Sequence, residues 1–137
     1  MTAKEYLQRA FNLRRRIAAK ETHLEELRTQ AEHITADLTG MPRGSGPSSP
    51  VERVAVQIAD LSWEIELDWL DLLQYQAEIR KTIERVEDPL VVQVLSARYI
   101  SYMPWRKIAE RLHYSERAIY KIHRRGLRAI DAFIEVQ

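Results

Sequence analysis

Apolar residues recur every seven positions along the first 38 residues of the chain, in two interleaved sets that start at Ala3 and Tyr6. Ten of the eleven residues in these sets are apolar or aromatic. The sets are Ala3, Ala10, Ile17, Leu24, Ala31 and Leu38, and Tyr6, Leu13, Lys20, Leu27 and Ile34. A repeat sustained over five heptads without Gly or Pro is typical of a coiled-coil helix. The pattern predicts a helix from Thr2 to about Thr39, roughly 57 Å long.

Residues 40–50, GMPRGSGPSSP, contain three Gly and three Pro, which end a helix, and Gly40 is placed to cap it. The heptads then resume from Val51 to about Asp88. Their positions are Val51, Ile58, Ile65, Leu72, Ile79 and Val86, and Val54, Leu61, Asp68, Tyr75 and Thr82. This second helix would be roughly 56 Å long. Two equal helices joined by a short linker predict an antiparallel hairpin over residues 1–88.

Each of the two heptad seams contains one charged residue, Lys20 in the first helix and Asp68 in the second. In the hairpin register the numbers of facing residues sum to about 90, so these two lie close together. A polar seam pair often fixes the register of a coiled coil. The alternative is that Lys20 extends its amine to solvent and Asp68 is exposed. The sequence leaves both possibilities open.

The second helix has more apolar residues than one partner helix covers. Those outside the seam are Trp63, Leu67, Trp69, Leu70, Leu73 and Ala77. The C-terminal region or a second copy of the chain could cover them. Because an isolated two-helix hairpin buries little apolar surface, we expect a homo-oligomer, with a dimeric four-helix bundle favoured.

Residues 89–137 predict a separate helical domain. Asp88 and Pro89 suit the N-cap and first position of a helix whose inner face is Leu90, Val94, Leu95 and Tyr99. After a short connection at Tyr102 and Met103, Pro104 opens the next helix. The fold class predicted for the whole chain is therefore all-α.

Residues 104–126, PWRKIAERLHYSERAIYKIHRRG, meet the requirements of a helix-turn-helix. Ala109 is the small residue where two helices would cross, and Ser115 would cap the second helix. The shared core would consist of Ile108, Leu112, Tyr114, Ile119 and Ile122. His113 stands in the turn where Gly is usual, and histidine tolerates a left-handed backbone. The outward positions of the second helix are Glu116, Arg117, Tyr120, Lys121 and Arg124, all able to bond a base edge or phosphate.

Charge is unevenly distributed along a chain whose net charge is +1. Residues 51–88 contain 4 Lys/Arg and 10 Asp/Glu (net −6), whereas residues 89–137 contain 9 and 4 (net +5). A basic C-terminal third is expected of a nucleic-acid contact. The alternative is a solvated helix that is simply rich in arginine.

The C-terminal part of the chain resembles a known family. LSARYISYMPWRKIAERLHYSERAIYKIHRRGLRAI is similar to region four of bacterial sigma factors, which reads the promoter −35 element. The arrangement of a long helical hairpin ahead of it is similar to small phage and prophage regulators of late operons, of the RinA/ArpU kind. The resemblance implies a transcriptional regulator that binds duplex DNA in the cytoplasm of a bacterial host. Nothing in the chain resembles the sigma region that melts the −10 element.

The same resemblance implies which side chains meet the DNA. Ser115, Arg117, Tyr120, Lys121 and Arg124 would face the major groove, and Arg106 and Lys107 would meet phosphate. The predicted DNA-binding set is Arg106, Lys107, Ser115, Glu116, Arg117, Tyr120, Lys121, Arg124 and Arg125.

The sequence predicts no catalytic residue, metal or cofactor. There is no Cys, no two of the four His have the i, i+3 or i, i+4 spacing of a helical metal site, and no phosphate loop is present. No signal peptide or bilayer-spanning run is found, so no membrane partner is expected. Two alternatives to a regulator stay open, namely a DNA-packaging adaptor of the small-terminase type and a module that binds RNA polymerase rather than DNA.

Overall fold

The computed structural model describes residues 1–38 and 49–135, and its five elements are all helices. Their bounds are α1 Ala3–Leu38, α2 Pro50–Glu84, α3 Pro89–Tyr99, α4 Trp105–Leu112 and α5 Glu116–Glu135. This confirms the all-α prediction. The chain divides into two compact units, Arg14–Asp71 and a second that joins Met1–Leu13 to Leu72–Gln137. No helix in the described ranges is long and apolar enough to cross a bilayer.

In the unit Arg14–Asp71, the apolar heptad positions of α1 and α2 form a buried seam. Ile17, Leu24 and Leu27 of α1 are buried, as are Val54, Leu61 and Ile65 of α2. The Lys20 amine lies 2.7 Å from an Asp68 carboxylate oxygen, and the two side chains are 25% and 14% exposed. The seam therefore contains the charged pair that the sequence had left open.

Both long helices begin with side-chain caps. The Thr2 hydroxyl accepts a hydrogen bond from the Glu5 amide at 3.2 Å, and a Glu5 carboxylate oxygen accepts one from the Thr2 amide at 3.0 Å. This reciprocal arrangement is a capping box. The Ser49 hydroxyl accepts a hydrogen bond from the Glu52 amide at 3.1 Å. The predicted cap at Gly40 lies outside the described residues.

The second helix ends at Glu84, four residues before the predicted end near Asp88. Asp88 has extended backbone angles, φ −73° and ψ 114°, because it is the N-cap of α3 and precedes a proline. The chain needs several non-helical residues to change direction between two separately capped helices. Val86 continues the apolar heptad pattern and stays buried in this connection although it is not helical.

In the other unit, the start of α1 and the end of α2 pack with α3, α4 and α5. The hydroxyls of Tyr6 and Thr82 form a hydrogen bond of 2.9 Å. The Ala3 amide donates to an Asp131 carboxylate oxygen of α5 at 2.7 Å. Leu7 and Ile83 are almost fully buried although they lie outside the heptad seam. The buried face is wider here than the seam, since additional helices cover it.

Helix α3 is buried along Val91, Val94, Leu95 and Tyr99. The prediction of Leu90 as an inner residue was wrong, because Leu90 is only partly buried and Val91 takes its place. Helix α5 approaches α3 closely at Gly126, where an added Cβ atom would lie 3.0 Å from side-chain carbons of Val91 and Leu95. Glycine at this position therefore sets the separation of the two helices.

Candidate nucleic-acid interface

The segment from Trp105 to Glu135, here called the α4–turn–α5 segment, is held by a tight reversal between its two helices. His113 has φ 61° and ψ 41°, the left-handed conformation that the sequence predicted. The Tyr114 amide donates to the Ala109 carbonyl at 3.0 Å, and the His113 amide donates to the Glu110 carbonyl. These two bonds form a Schellman motif, which ends α4 within one residue.

The next helix begins at once, because Ser115 caps it as predicted. Its hydroxyl accepts a hydrogen bond from the Ala118 amide at 3.1 Å. Glu116 places a negative charge in the first turn, where the helix dipole favours it. The two caps leave only His113, Tyr114 and Ser115 between α4 and α5. The angle between the helices is therefore fixed by backbone hydrogen bonds rather than by a flexible loop.

Side chains from both helices form the core of the segment. Ala109 is 5% exposed, Ile108 and Ile119 are fully buried, and Ile122 is 7% exposed. The assignment of Tyr114 to this core was wrong, since 44% of its surface is exposed. The left-handed residue before it reverses the chain, so that Tyr114 lies on the outside of the turn. It lines a shallow groove there with Leu90, Lys121 and Arg125.

An aromatic cluster lies beneath α5 and connects it to α3 and α4. The Tyr99 hydroxyl and the His123 Nε2 atom form a hydrogen bond of 2.6 Å. The Trp105 ring lies 4.6 Å from the His123 ring and 5.3 Å from the Tyr120 ring, measured between centroids. The Arg98 guanidinium lies 4.6 Å from the Trp105 ring centre. This cluster holds Tyr120 at the edge of the exposed face of α5.

Burial shifts the protonation equilibria of two members of this cluster. Burial, together with the nearby positive charges of Arg98, Lys4 and Arg124, lowers the pKa of His123 from its ordinary 6.5 to about 4. Burial also raises the pKa of Tyr99 to about 12, although Arg98 acts in the opposite direction. Both groups are therefore neutral at physiological pH, and their hydrogen bond joins two uncharged partners.

His123 is not among the site residues predicted from the sequence. Its role as a buried hydrogen-bonded group was detectable from spacing, because His123 lies on the inner side of α5 with Ile119, Ile122 and Ile130. Phe11 was missed altogether. Its ring contacts those of Tyr99 and Tyr102, at centroid distances of 6.1 and 4.9 Å. No local signal in the sequence connects residue 11 to residues 99 and 102.

The connection before α4 is also held in place. The Gln76 amide donates to the Tyr102 hydroxyl at 2.7 Å, and the Arg98 guanidinium donates to the Met103 carbonyl at 3.0 Å. Arg106 and Lys107 follow in the first turn of α4, and both are exposed. Arg106 also forms a loose ion pair with Glu110 at 3.6 Å.

The predicted binding residues on α5 fall into two groups. Arg117, Lys121 and Arg124 are exposed at i, i+4 and i+7 on one side of the helix, with Tyr120 beside them. None of these three cations has an ion-pair partner among the described residues. We call them, with Tyr120, the α5 basic face.

The other predicted residues on α5 are engaged differently. Arg125 turns toward the start of α3, where its guanidinium lies 3.3 Å from an Asp88 carboxylate oxygen. Ser115 uses its hydroxyl for the helix cap. Glu116 is exposed and adds a negative charge at the end of the helix nearest the turn. Over the ranges that the structure describes, no group of three metal-ligating side chains occurs.

Comparison with known proteins gives one result. Residues 43–131 match the family described as protein of unknown function DUF1492. The match includes all of α2 and α3, and the α4–turn–α5 segment up to Asp131. No curated protein and no solved structure gives a significant match to the chain.

Proposed function

The chain belongs to the DUF1492 family, and we propose that it binds duplex DNA through the α4–turn–α5 segment, acting as a helix-turn-helix. In this proposal α5 is the recognition helix and enters the major groove with its basic face. Arg106 and Lys107, at the start of α4, meet the phosphate backbone. The biological role that we propose is a phage or prophage transcriptional regulator that acts without a cofactor.

One observation carries the proposal. Helix α5 is apolar on the side that packs on α3 and α4, and Arg117, Lys121 and Arg124 are exposed without ion-pair partners in the described chain. Three cations at i, i+4 and i+7 present positive charge along one side of a helix, which suits the negatively charged groove of DNA. The short, doubly capped turn supports a rigid presentation of this face, which binding in a groove requires.

The helical hairpin and the oligomer belong to the same proposal. We propose that α1 and α2 form an antiparallel hairpin that joins copies of the chain, so that two recognition helices can bind one DNA site. The contacts between Lys20 and Asp68 and between Tyr6 and Thr82 support this, since each pair of residue numbers sums to 88. We propose host RNA polymerase as a further partner, and this part of the proposal rests only on the resemblance of the chain to region four of sigma factors.

The proposal is tested by selecting bound sequences from random duplex DNA and then measuring affinity by fluorescence anisotropy. We expect Arg117→Ala and Lys121→Ala each to cost about 1–3 kcal/mol on the selected sequence and less on random DNA. The matched control is Arg15→Ala with Arg16→Ala, which removes exposed charge from α1 instead.

Salt titration adds a second measurement. If about four phosphates are neutralised, log affinity falls against log salt with a slope near −3.6. Unchanged binding in the α5 variants, or binding that does not depend on salt, contradicts the proposal. A ring-shaped oligomer that binds DNA would favour the packaging adaptor, and an absence of duplex binding would favour the polymerase-binding module.

A further inference from the structure

Helix α2 carries an exposed apolar stripe on the side opposite the α1 seam. It consists of Val56, Ala59, Trp63, Leu67, Leu70, Leu73 and Ala77. These residues are three or four positions apart, which is the spacing of a second helix-packing seam. Trp63 is 61% exposed and Leu70 is 64% exposed. Side chains of this size at regular spacing mark an interaction surface rather than scattered surface residues.

The outer side of α1 provides an internal comparison. At the corresponding heptad positions it carries Arg15, Thr22 and Thr29, which are polar and exposed. Only one of the two long helices is therefore apolar on both sides. The large members of the stripe, Trp63, Leu67, Leu70 and Leu73, are all exposed.

The charges beside the stripe indicate which kind of molecule can bind it. Glu52, Asp60, Glu64, Glu66 and Asp71 are exposed on α2 around it. Acidic flanks repel DNA phosphates and anionic lipids. A protein surface therefore suits the stripe better than DNA or an anionic membrane does, and it must fit a run of large apolar side chains with small ones at Ala59 and Ala77.

We infer that the occupant is the same stripe of a second copy, with the two α2 helices antiparallel. The sizes of the side chains are self-complementary about a centre between residues 66 and 67. Trp63 then faces Leu70, Ala59 faces Leu73 and Val56 faces Ala77. Their numbers sum to 133, 132 and 133, which gives one consistent register. Each small residue meets a large one, as close packing of two helices requires, and a two-fold axis makes the contact isologous.

The charges at the ends of the stripe favour the same orientation. In the antiparallel register Glu52 faces Arg80, since their numbers sum to 132, and this pair occurs at both ends. A parallel pairing would instead place Glu52, Asp60 and Glu66 each beside its own copy. Antiparallel pairing leaves Glu66 opposite Glu66 near the two-fold axis and Arg53 opposite Arg80 at each end, where Glu52 and Lys81 lie beside them.

This inference deepens the self-association proposed above, but it does not depend on DNA binding. It is tested by sedimentation of the full chain without DNA, which should give a dimer. Trp63→Ala should weaken association about 30-fold or more, as expected of a central aromatic anchor. Trp69→Ala is the matched control, because Trp69 is 42% exposed on the same helix but lies outside the stripe, and should change little.

The register is tested by disulfide cross-linking, for which the chain is well suited because it contains no Cys. Chains with Ala59→Cys and chains with Leu73→Cys are mixed and oxidised. The antiparallel register gives mixed 59–73 dimers, whereas a parallel register gives 59–59 and 73–73 dimers. Thr29→Cys, on the outer side of α1, should not cross-link.

Further outcomes complete the test. Glu66→Gln should tighten the dimer, because it removes the like-charge contact at the centre of the antiparallel register. A wild-type monomer, like-with-like cross-links, or equal effects of Trp63→Ala and Trp69→Ala would each overturn the inference. A dimer that cross-links as expected but binds no DNA would leave it standing and contradict the DNA-binding proposal alone.

Discussion

Two exposed helix faces of this chain have the same spacing and opposite chemistry. The α2 stripe has large apolar side chains between acidic flanks, and the α5 basic face has Arg117, Lys121 and Arg124 around one exposed tyrosine. Both present residues three or four positions apart along one side of a helix. The comparison shows that helical spacing selects a face, while the chemistry of the side chains decides what the face can bind.

The two faces also differ in how their proposed contacts respond to solvent. Burial of apolar surface contributes about 25 cal/mol per Å² and is largely insensitive to moderate salt. Contacts to phosphate depend on counterion release and weaken steeply as salt is added. Salt therefore separates the two proposed activities, and a disturbance confined to one region should affect one activity and spare the other.

The largest difference between the effect on DNA binding and the effect on self-association is expected from Ala109→Leu. Ala109 is buried where α4 crosses α5, and a larger side chain there forces the helices apart at a cost of roughly 1–3 kcal/mol or more. DNA binding should be lost although residue 109 contacts no DNA. Association through the α2 stripe and the helicity of α1 and α2 should persist. Circular dichroism, sedimentation and DNA binding on this one variant check the result. Normal DNA binding would exclude a helix-turn-helix.

A smaller effect is expected from pH, and it concerns the free energy of unfolding. His123 has a pKa of about 4 in the folded chain against an ordinary 6.5, so the unfolded state binds more protons between these values. The stabilising contribution is full above pH 6.5 and is lost as pH falls toward 4. Between pH 7.5 and 5 it amounts to about 2 kcal/mol.

Denaturant unfolding at the two pH values measures this contribution. His123→Gln should remove about that much of the pH dependence of the free energy of unfolding. His23→Gln is the matched control, because His23 is exposed on α1. An equal pH dependence in the wild type and in His123→Gln would show that His123 does not control acid stability.

The smallest effect is expected at the turn. His113 is held at φ 61°, where a residue with a Cβ atom costs roughly 1–2 kcal/mol and glycine does not. Because glycine also gains freedom in the unfolded chain, His113→Gly should stabilise the protein by less than about 1 kcal/mol. DNA affinity should be unchanged. Thermal unfolding provides the measurement, and destabilisation would mean that the imidazole makes a necessary contact.

Much of the long-helix geometry was predictable from sequence because many repeats contribute to one register. The described seam positions are buried or partly buried in both helices. Errors occurred where few residues decide the outcome. Leu90 and Val91 are adjacent on an 11-residue helix, so a small rotation exchanges them. Tyr114 follows the left-handed residue, and the direction of its side chain depends on that reversal rather than on helical periodicity.

For the candidate interface, the sequence located the caps and the left-handed turn because those positions have specific chemical requirements. Ser115 and His113 both fulfil the roles that were predicted. The aromatic cluster could not be predicted, since Phe11, Tyr99 and His123 are brought together only by long-range packing. The ion pair of Arg125 with Asp88 was missed for the same reason.

The Lys20–Asp68 pair also has a consequence for the chain during its synthesis. At roughly 5–20 residues per second, synthesis of α2 is complete only some 2–9 seconds after α1. During that interval the apolar seam of α1 has no partner and could pair in parallel with α1 of a neighbouring nascent chain. Such a pairing would place Lys20 beside another Lys20 within an apolar seam, where like charges repel. The correct partner supplies the opposite charge at 2.7 Å. A lysine in the α1 seam therefore disfavours pairing with a second α1 and favours pairing with α2, which carries the opposite charge.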